Sequence, residues 1–124
     1  MAEKQKIMIV EDQFFLAEMI RTRLEFLGYD VIYAEHGARA LELLQKDPVD
    51  LIIMDVMMPV MDGIEATKRI RTDKAIKDIP IIFLTARARA EDRQQAMDAG
   101  ATDYIAKPFE SSQLTAMVEK WLKK

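Results

Sequence analysis

Four places along the chain hold side chains that could act together on a charged group. They are the acidic pair Glu11 and Asp12, the carboxylate of Asp55, the hydroxyl of Thr85, and the ammonium of Lys107, which is followed by Pro108. Carboxylates brought close together repel one another unless something positive holds them. A hard divalent cation meets that need. Magnesium takes a few carboxylates, keeps several waters and shares the oxygens of a phosphate group, whereas calcium wants more oxygen ligands. A lysine facing such a cation would neutralise the other side of a phosphoryl group held between them. Taken singly, each residue has an ordinary explanation: Asp12 as a helix cap, Thr85 as the end of a strand, Lys107 as a solvated charge. Their meaning depends on whether the fold delivers them to one place.

The elements needed for that delivery can be read from hydrophobic patterning. Ile7–Val10, Val31–Ala34, Leu51–Met54 and Ile81–Leu84 are short apolar runs, and Asp103–Ala106 is a weaker fifth. Apolar on both faces, such runs predict buried parallel strands. The segments between them have helical spacing, with Leu16, Ile20, Leu24 and Leu27 in the first, Leu41 and Leu44 in the second, and Ile64, Thr67 and Ile70 in the third. A last helix is predicted from the stripe Leu114, Met117, Val118, Trp121 and Leu122. Gly28 and Gly100 follow helices where a left-handed residue is wanted, and Ser111 is placed to cap the last one. Alternating strands and helices imply a doubly wound parallel sheet of the α/β class, with ligands at the carboxyl edge. Glu11–Asp12, Asp55, Thr85 and Lys107–Pro108 all follow strands, so one edge receives them.

Composition narrows the alternatives. The 124 residues are expected to form one domain spanning 1–124. Eighteen basic against 21 acidic residues leave a net charge of -3, so no global field draws nucleic acid or an anionic membrane. The absence of cysteine excludes disulfides, thiolate metal sites and a cysteine nucleophile. No apolar run approaches the roughly 20 residues that cross a bilayer, and Met1–Lys6 is too charged for a signal peptide. A cytoplasmic location is expected.

The residues at the edge also carry a resemblance. Glu11-Asp12, Asp55-Val56-Met57-Met58-Pro59 with Met61-Asp62-Gly63, Leu84-Thr85-Ala86, and Tyr104-Ile105-Ala106-Lys107-Pro108-Phe109 resemble, in order and spacing, the response-regulator receiver family over essentially the whole chain. The resemblance implies a flavodoxin-like (βα)5 sheet of strand order 2-1-3-4-5. It implies Asp55 as phosphoacceptor, and a Mg2+ site of Glu11, Asp12, Asp55 and the backbone carbonyl of Met57. It further implies Thr85, the Ala86 backbone and Lys107 as phosphoryl-binding groups, Thr85 and Tyr104 as the switch, and a cis peptide before Pro108. The expected donor is a histidine kinase or histidine phosphotransfer protein, and the expected output is a downstream protein target whose binding face is shifted by phosphorylation.

Met57 and Arg87 each lie two positions beyond a key residue, where they could shield an acyl phosphate from water and lengthen its lifetime. The first helix carries a second apolar stripe, Phe15, Met19 and Phe26. It is expected to widen the core toward the last helix, with kinase docking as the alternative; Phe14, beside the acidic pair, is the sharper docking candidate with Phe15 next to it. His36 is expected in a surface loop, the arginines between 87 and 93 on a solvated face, and Met54, Met58 and Met61 in packing. A haloacid-dehalogenase-type phosphatase would need a second acid two residues after Asp55, where Met57 stands. An FMN carrier would need a small-residue phosphate loop after the first strand, where Glu11–Phe14 is anionic and bulky. A receiver used only for binding would lack some of these groups, and none is missing. A signalling domain that assists its own phosphorylation is therefore expected rather than a turnover enzyme. It could be stand-alone, a phosphorelay intermediate, or part of a larger protein.

Overall fold

The computed structural model describes residues 4–86 and 89–122. Strands and helices alternate through them: β1 (Lys6–Val10), α1 (Phe14–Phe26), β2 (Asp30–Ala34), α2 (Gly37–Leu44), β3 (Leu51–Asp55), α3 (Gly63–Arg71), β4 (Ile81–Thr85), α4 (Ala90–Ala99), β5 (Asp103–Ala106) and α5 (Ser111–Leu122). The strands form one sheet in the order β2-β1-β3-β4-β5, with every pair parallel. Among the described residues, no helix is long and apolar enough to cross a membrane.

Successive residues of a strand point to opposite faces, so the apolar runs serve two cores. Ile7, Ile9, Leu51, Ile53, Ile82 and Leu84 meet α1 and α5 through Ala17, Ile20, Leu24, Leu114, Val118 and Leu122. Met8, Val10, Ile52, Met54, Ile81 and Phe83 meet the other three helices through Ala40, Leu44, Ala66, Ile70 and Ala96. Met54 is buried, and Met58 and Met61 pack partly buried against this second core, as expected of packing residues. At roughly 25 cal/mol per Å2 of apolar surface removed from water, this two-sided burial is the main force holding the strand ends in register.

Four expectations are corrected. The second apolar run is not buried on both faces, because β2 is an edge strand with no neighbour on one side, and Val31, Ile32 and Tyr33 are only half-buried. On α1 the core face is Ala17, Ile20 and Leu24, while Leu27 lies past the helix end and is exposed. The Phe15–Met19–Phe26 stripe does not widen that core: Phe15 is 88% and Phe26 82% exposed. At 3.6 residues per turn this stripe lies roughly 160° from Ala17, Ile20 and Leu24, on the side facing solvent. Ser111 is the first helical residue of α5 rather than its cap; Glu110 precedes it, and the Gln113 side chain reaches back to accept the Glu110 amide at 2.8 Å. His36 lies in the connection between β2 and α2, as expected, and from there caps α2, its Nδ1 accepting from the Arg39 amide at 3.1 Å. Gly28 and Gly100 adopt φ of 99° and 112°, the left-handed geometry anticipated after a helix.

Candidate functional site

The parallel sheet brings the strand ends together at one edge, near the point between β1 and β3 where strand order reverses. Glu11 follows β1 and is fully buried, while Asp12 next to it is exposed. Asp55 is the last residue of β3 and Thr85 the last of β4, both buried. Lys107 follows β5 and is bound to the edge by its own backbone, whose amide donates to the Thr85 carbonyl at 2.7 Å. The Lys107–Pro108 peptide is cis.

Each carboxylate of Glu11, Asp12 and Asp55 offers an oxygen within 4.8 Å of the others. Lys107 Nζ lies 3.2 Å from Asp55 Oδ2 and 3.5 Å from Glu11 Oε1. The other oxygen of Asp55 accepts the Met57 amide at 3.3 Å, and Glu11 Oε2 accepts the Gln13 amide at 3.1 Å. Glu11 Oε1 is buried without a hydrogen-bond donor among the described residues. Burial pushes the Glu11 carboxyl up to about 7; the Gln13 amide opposes this, the Asp55 carboxylate adds to it, and Lys107 offsets part. A buried, unsatisfied carboxylate oxygen beside two more acids and one ammonium leaves negative charge in excess, which a divalent cation with oxygen preference would relieve. The donor set therefore fits magnesium.

Glycine and a strained turn make the loop after β3 possible. A Cβ on Gly63 would overlap the Asp55 carbonyl oxygen, so only glycine lets α3 begin directly against the acidic strand end; its amide donates to the Val56 carbonyl at 2.9 Å. Val60 has φ 71°, and the Met61 amide donates to the Pro59 carbonyl across it at 2.8 Å. This is a γ-turn with positive central φ, a costly conformation for a β-branched residue. It folds the loop back so that the Met61 carbonyl accepts the Gly37 amide at 3.3 Å and α2 is tied to the site.

On the other flank, Thr85, Tyr104, Phe83, Val56, Met57 and Arg93 are among the residues lining a cavity of about 50 Å3. Tyr104 is half-buried, with the Arg93 guanidinium 5.1 Å from its ring centroid. Ala86 is exposed beside Thr85, and Met57 is exposed at the rim. Arg87 lies outside the described residues. Arg89 is exposed and paired with Glu91 at 3.3 Å and Asp92 at 3.1 Å, in keeping with a solvated face.

Phe14 and Phe15 open α1 next to the acidic pair, both exposed, in edge contact at 6.1 Å. Two residues were not singled out from the sequence and had no local signal there: Tyr33 donates its hydroxyl to the Glu11 carbonyl at 2.7 Å, and at the opposite, amino edge of β4 and β5 Arg71 binds three backbone carbonyls. Gly63, of the Met61-Asp62-Gly63 motif, makes room for α3.

Comparison with known proteins agrees with this geometry. The family model for the response regulator receiver domain matches residues 7–119. The response regulator MprA of Mycolicibacterium vanbaalenii is 39% identical over 96% of this chain and 51% of its own length. The chain spans about half the length of the curated relatives it matches. Among solved structures, chemotaxis protein CheY4 of Vibrio cholerae superposes with a TM-score of 0.92 at 35% identity, over 97% of this chain and 100% of its own. The receiver domain of a Pseudomonas aeruginosa sensor histidine kinase, solved with magnesium coordinated in its active-site cleft, superposes with a TM-score of 0.90 at 36% identity, over 98% and 100%. With its sheet order, its acidic strand ends and a family match over nearly all its length, this chain belongs to the response regulator receiver domain family of two-component signalling.

Proposed function

We propose that Asp55 accepts a phosphoryl group from a histidine kinase or histidine phosphotransfer protein, and that the domain signals through the change this makes on its surface. The observation that carries the reading is the buried Asp55 carboxylate, 3.2 Å from Lys107 and clustered with Glu11 and Asp12 at the sheet edge. A carboxylate oxygen of Asp55 bonds to phosphorus as the phosphorus–nitrogen bond of the donor phosphohistidine breaks, its electron pair staying with the imidazole. The nucleophile is already anionic, so no general base is needed. Glu11, Asp12, Asp55 and the Met57 carbonyl would hold magnesium, which when bound neutralises charge on the phosphoryl oxygens. Lys107, the Thr85 hydroxyl and the Ala86 amide supply donors to the remaining oxygens. A Thr85 side chain drawn to the phosphoryl group leaves room in the adjoining cavity for the Tyr104 ring, which alters the surface of α4 and β5.

The exposed face of α1, with Phe14 and Phe15 at its site end and Met19 and Phe26 beyond, supports docking of the phosphodonor there. A partner that brings a phosphohistidine to Asp55 must rest on the surface bordering the edge, and apolar side chains of this size are common anchors in interfaces. The output is a protein target. A second reading, in which this receiver governs a larger regulator, is favoured by relatives about twice its length, several of them named transcriptional regulators; the size of the native protein on an immunoblot decides between them.

The test is labelling from a small acyl phosphate with magnesium present. The parent protein takes up phosphate, Asp55→Asn does not, and Thr85→Ala still takes it up while binding its target more weakly. Full stoichiometric labelling of Asp55→Asn overturns the assignment.

A further inference from the structure

We propose that Tyr33 is a positioning residue for the acidic edge: its hydroxyl holds the backbone from which Glu11 and Asp12 present their carboxylates, and thereby sets how tightly this chain binds a divalent cation. The inference rests on the reading that these acids take magnesium.

The peptide joining Glu11 to Asp12 lies where the chain has left β1 and has not yet entered α1. At its near end the sheet still holds it, since the Glu11 amide donates to the Ala34 carbonyl at 3.1 Å. The ladder of α1 starts later, with the Ala17 amide donating to the Gln13 carbonyl at 3.0 Å. The Glu11 carbonyl therefore falls between the two regular ladders, and the Tyr33 hydroxyl donates to it at 2.7 Å. With the amide and the carbonyl of Glu11 both held, the peptide plane leading to Asp12 is fixed, and with it the direction in which the exposed Asp12 side chain leaves the backbone. The Glu11 carboxylate cannot do this work, because its oxygens accept: Oε2 takes the Gln13 amide and Oε1 lies 3.5 Å from Lys107 Nζ.

Tyr33 is itself well seated. It pairs in register with Ile9 across the edge of the sheet and packs against the core on the α1 side. The Phe14 ring stands edge-on to it, with centroids 6.4 Å apart and planes at 82°. A half-buried edge strand needs no hydroxyl there for packing, and phenylalanine would fill the same space. The oxygen is left with one evident use, the Glu11 carbonyl.

Tyr33→Phe removes that oxygen while keeping the ring. Titrating magnesium chloride calorimetrically into the parent and the variant should show the dissociation constant raised about two- to tenfold, the span expected for loss of one hydrogen bond. Labelling from a small acyl phosphate should need correspondingly more magnesium for half-maximal rate yet reach the parent rate at saturation. The melting midpoint in EDTA should fall by no more than the few degrees that loss of one hydrogen bond entails. An unchanged magnesium constant overturns the role of Tyr33, whether or not the variant is less stable. A parent protein that binds no magnesium overturns the underlying site reading, a distinct result because it shows before any variant is made.

Discussion

Glu11 shows how much a single strand end can be asked to tolerate. Its carboxylate is buried among other acids, and burial raises its pKa from an ordinary 4.5 to about 7. The folded protein therefore holds this proton more tightly than the unfolded chain, and between those values it binds more protons. Stability conferred by the protonated group is present below about 4.5 and is lost as pH rises through about 7. In EDTA, the parent should lose stability relative to Glu11→Gln by up to about 3 kcal/mol across that window, read from denaturant melts at several pH values. Parallel curves for the two proteins would show that the carboxyl titrates normally. Magnesium favours the deprotonated form, so its stabilisation should be largest at the upper end.

Among the elements, α3 and the loops beside it are joined by one side chain. The Arg71 guanidinium donates to the carbonyls of Gly100 at 2.9 Å, Lys77 at 2.7 Å and Ile79 at 2.7 Å, and to Thr102 Oγ1 at 3.3 Å. Gly100 makes this possible, because a Cβ there would come within 2.7 Å of the Arg71 side chain. Burial lowers the Arg71 pKa, with Asp78 opposing, but a guanidinium stays charged. The end of α3, the segment before β4 and the turn before β5 thus share one donor, and β4 and β5 carry Thr85 and Tyr104. Arg71→Ala leaves partly buried carbonyls without a partner and should cost about 2–4 kcal/mol. Arg71→Lys should recover less than half, since an ammonium cannot reproduce the planar fork. A denaturation midpoint unmoved in Arg71→Ala would show that water replaces the guanidinium without loss.

At the scale of the whole molecule, the sheet separates two tasks. Its carboxyl edge gathers the charged groups, and the solvent side of α1 carries Phe15 beside that edge and Met19 and Phe26 further along, all exposed. Paired substitution of Phe15 and Phe26 by serine, on a face turned to solvent, should change stability by less than about 1 kcal/mol. Phosphotransfer from a cognate phosphohistidine donor should slow tenfold or more, with labelling from a small acyl phosphate as the internal reference, since that reaction needs no docking. Equal slowing of both reactions would place the defect in the site instead of the interface.

Much of this was legible in order along the chain. The strands, the helices between them, and the reactive residues just after the strands are local patterns, because alternation, helical spacing and strand-end position all act over a few residues. That sufficed to predict a doubly wound sheet and to bring Glu11, Asp12, Asp55, Thr85 and Lys107 to one edge. What the sequence left open are matters of who lies next to whom. Whether Phe15 and Phe26 were core or surface depended on where α5 packs, and the exposed stripe followed from the sheet occupying the opposite side of α1. Tyr33 reaches Glu11 and Arg71 reaches Gly100 across separations of 22 and 29 residues, contacts with no local signature. Local periodicity determined which elements exist and what they carry to the edge; only their packing decided that Glu11 is buried with an unsatisfied oxygen and that a tyrosine from the edge strand holds the backbone behind it.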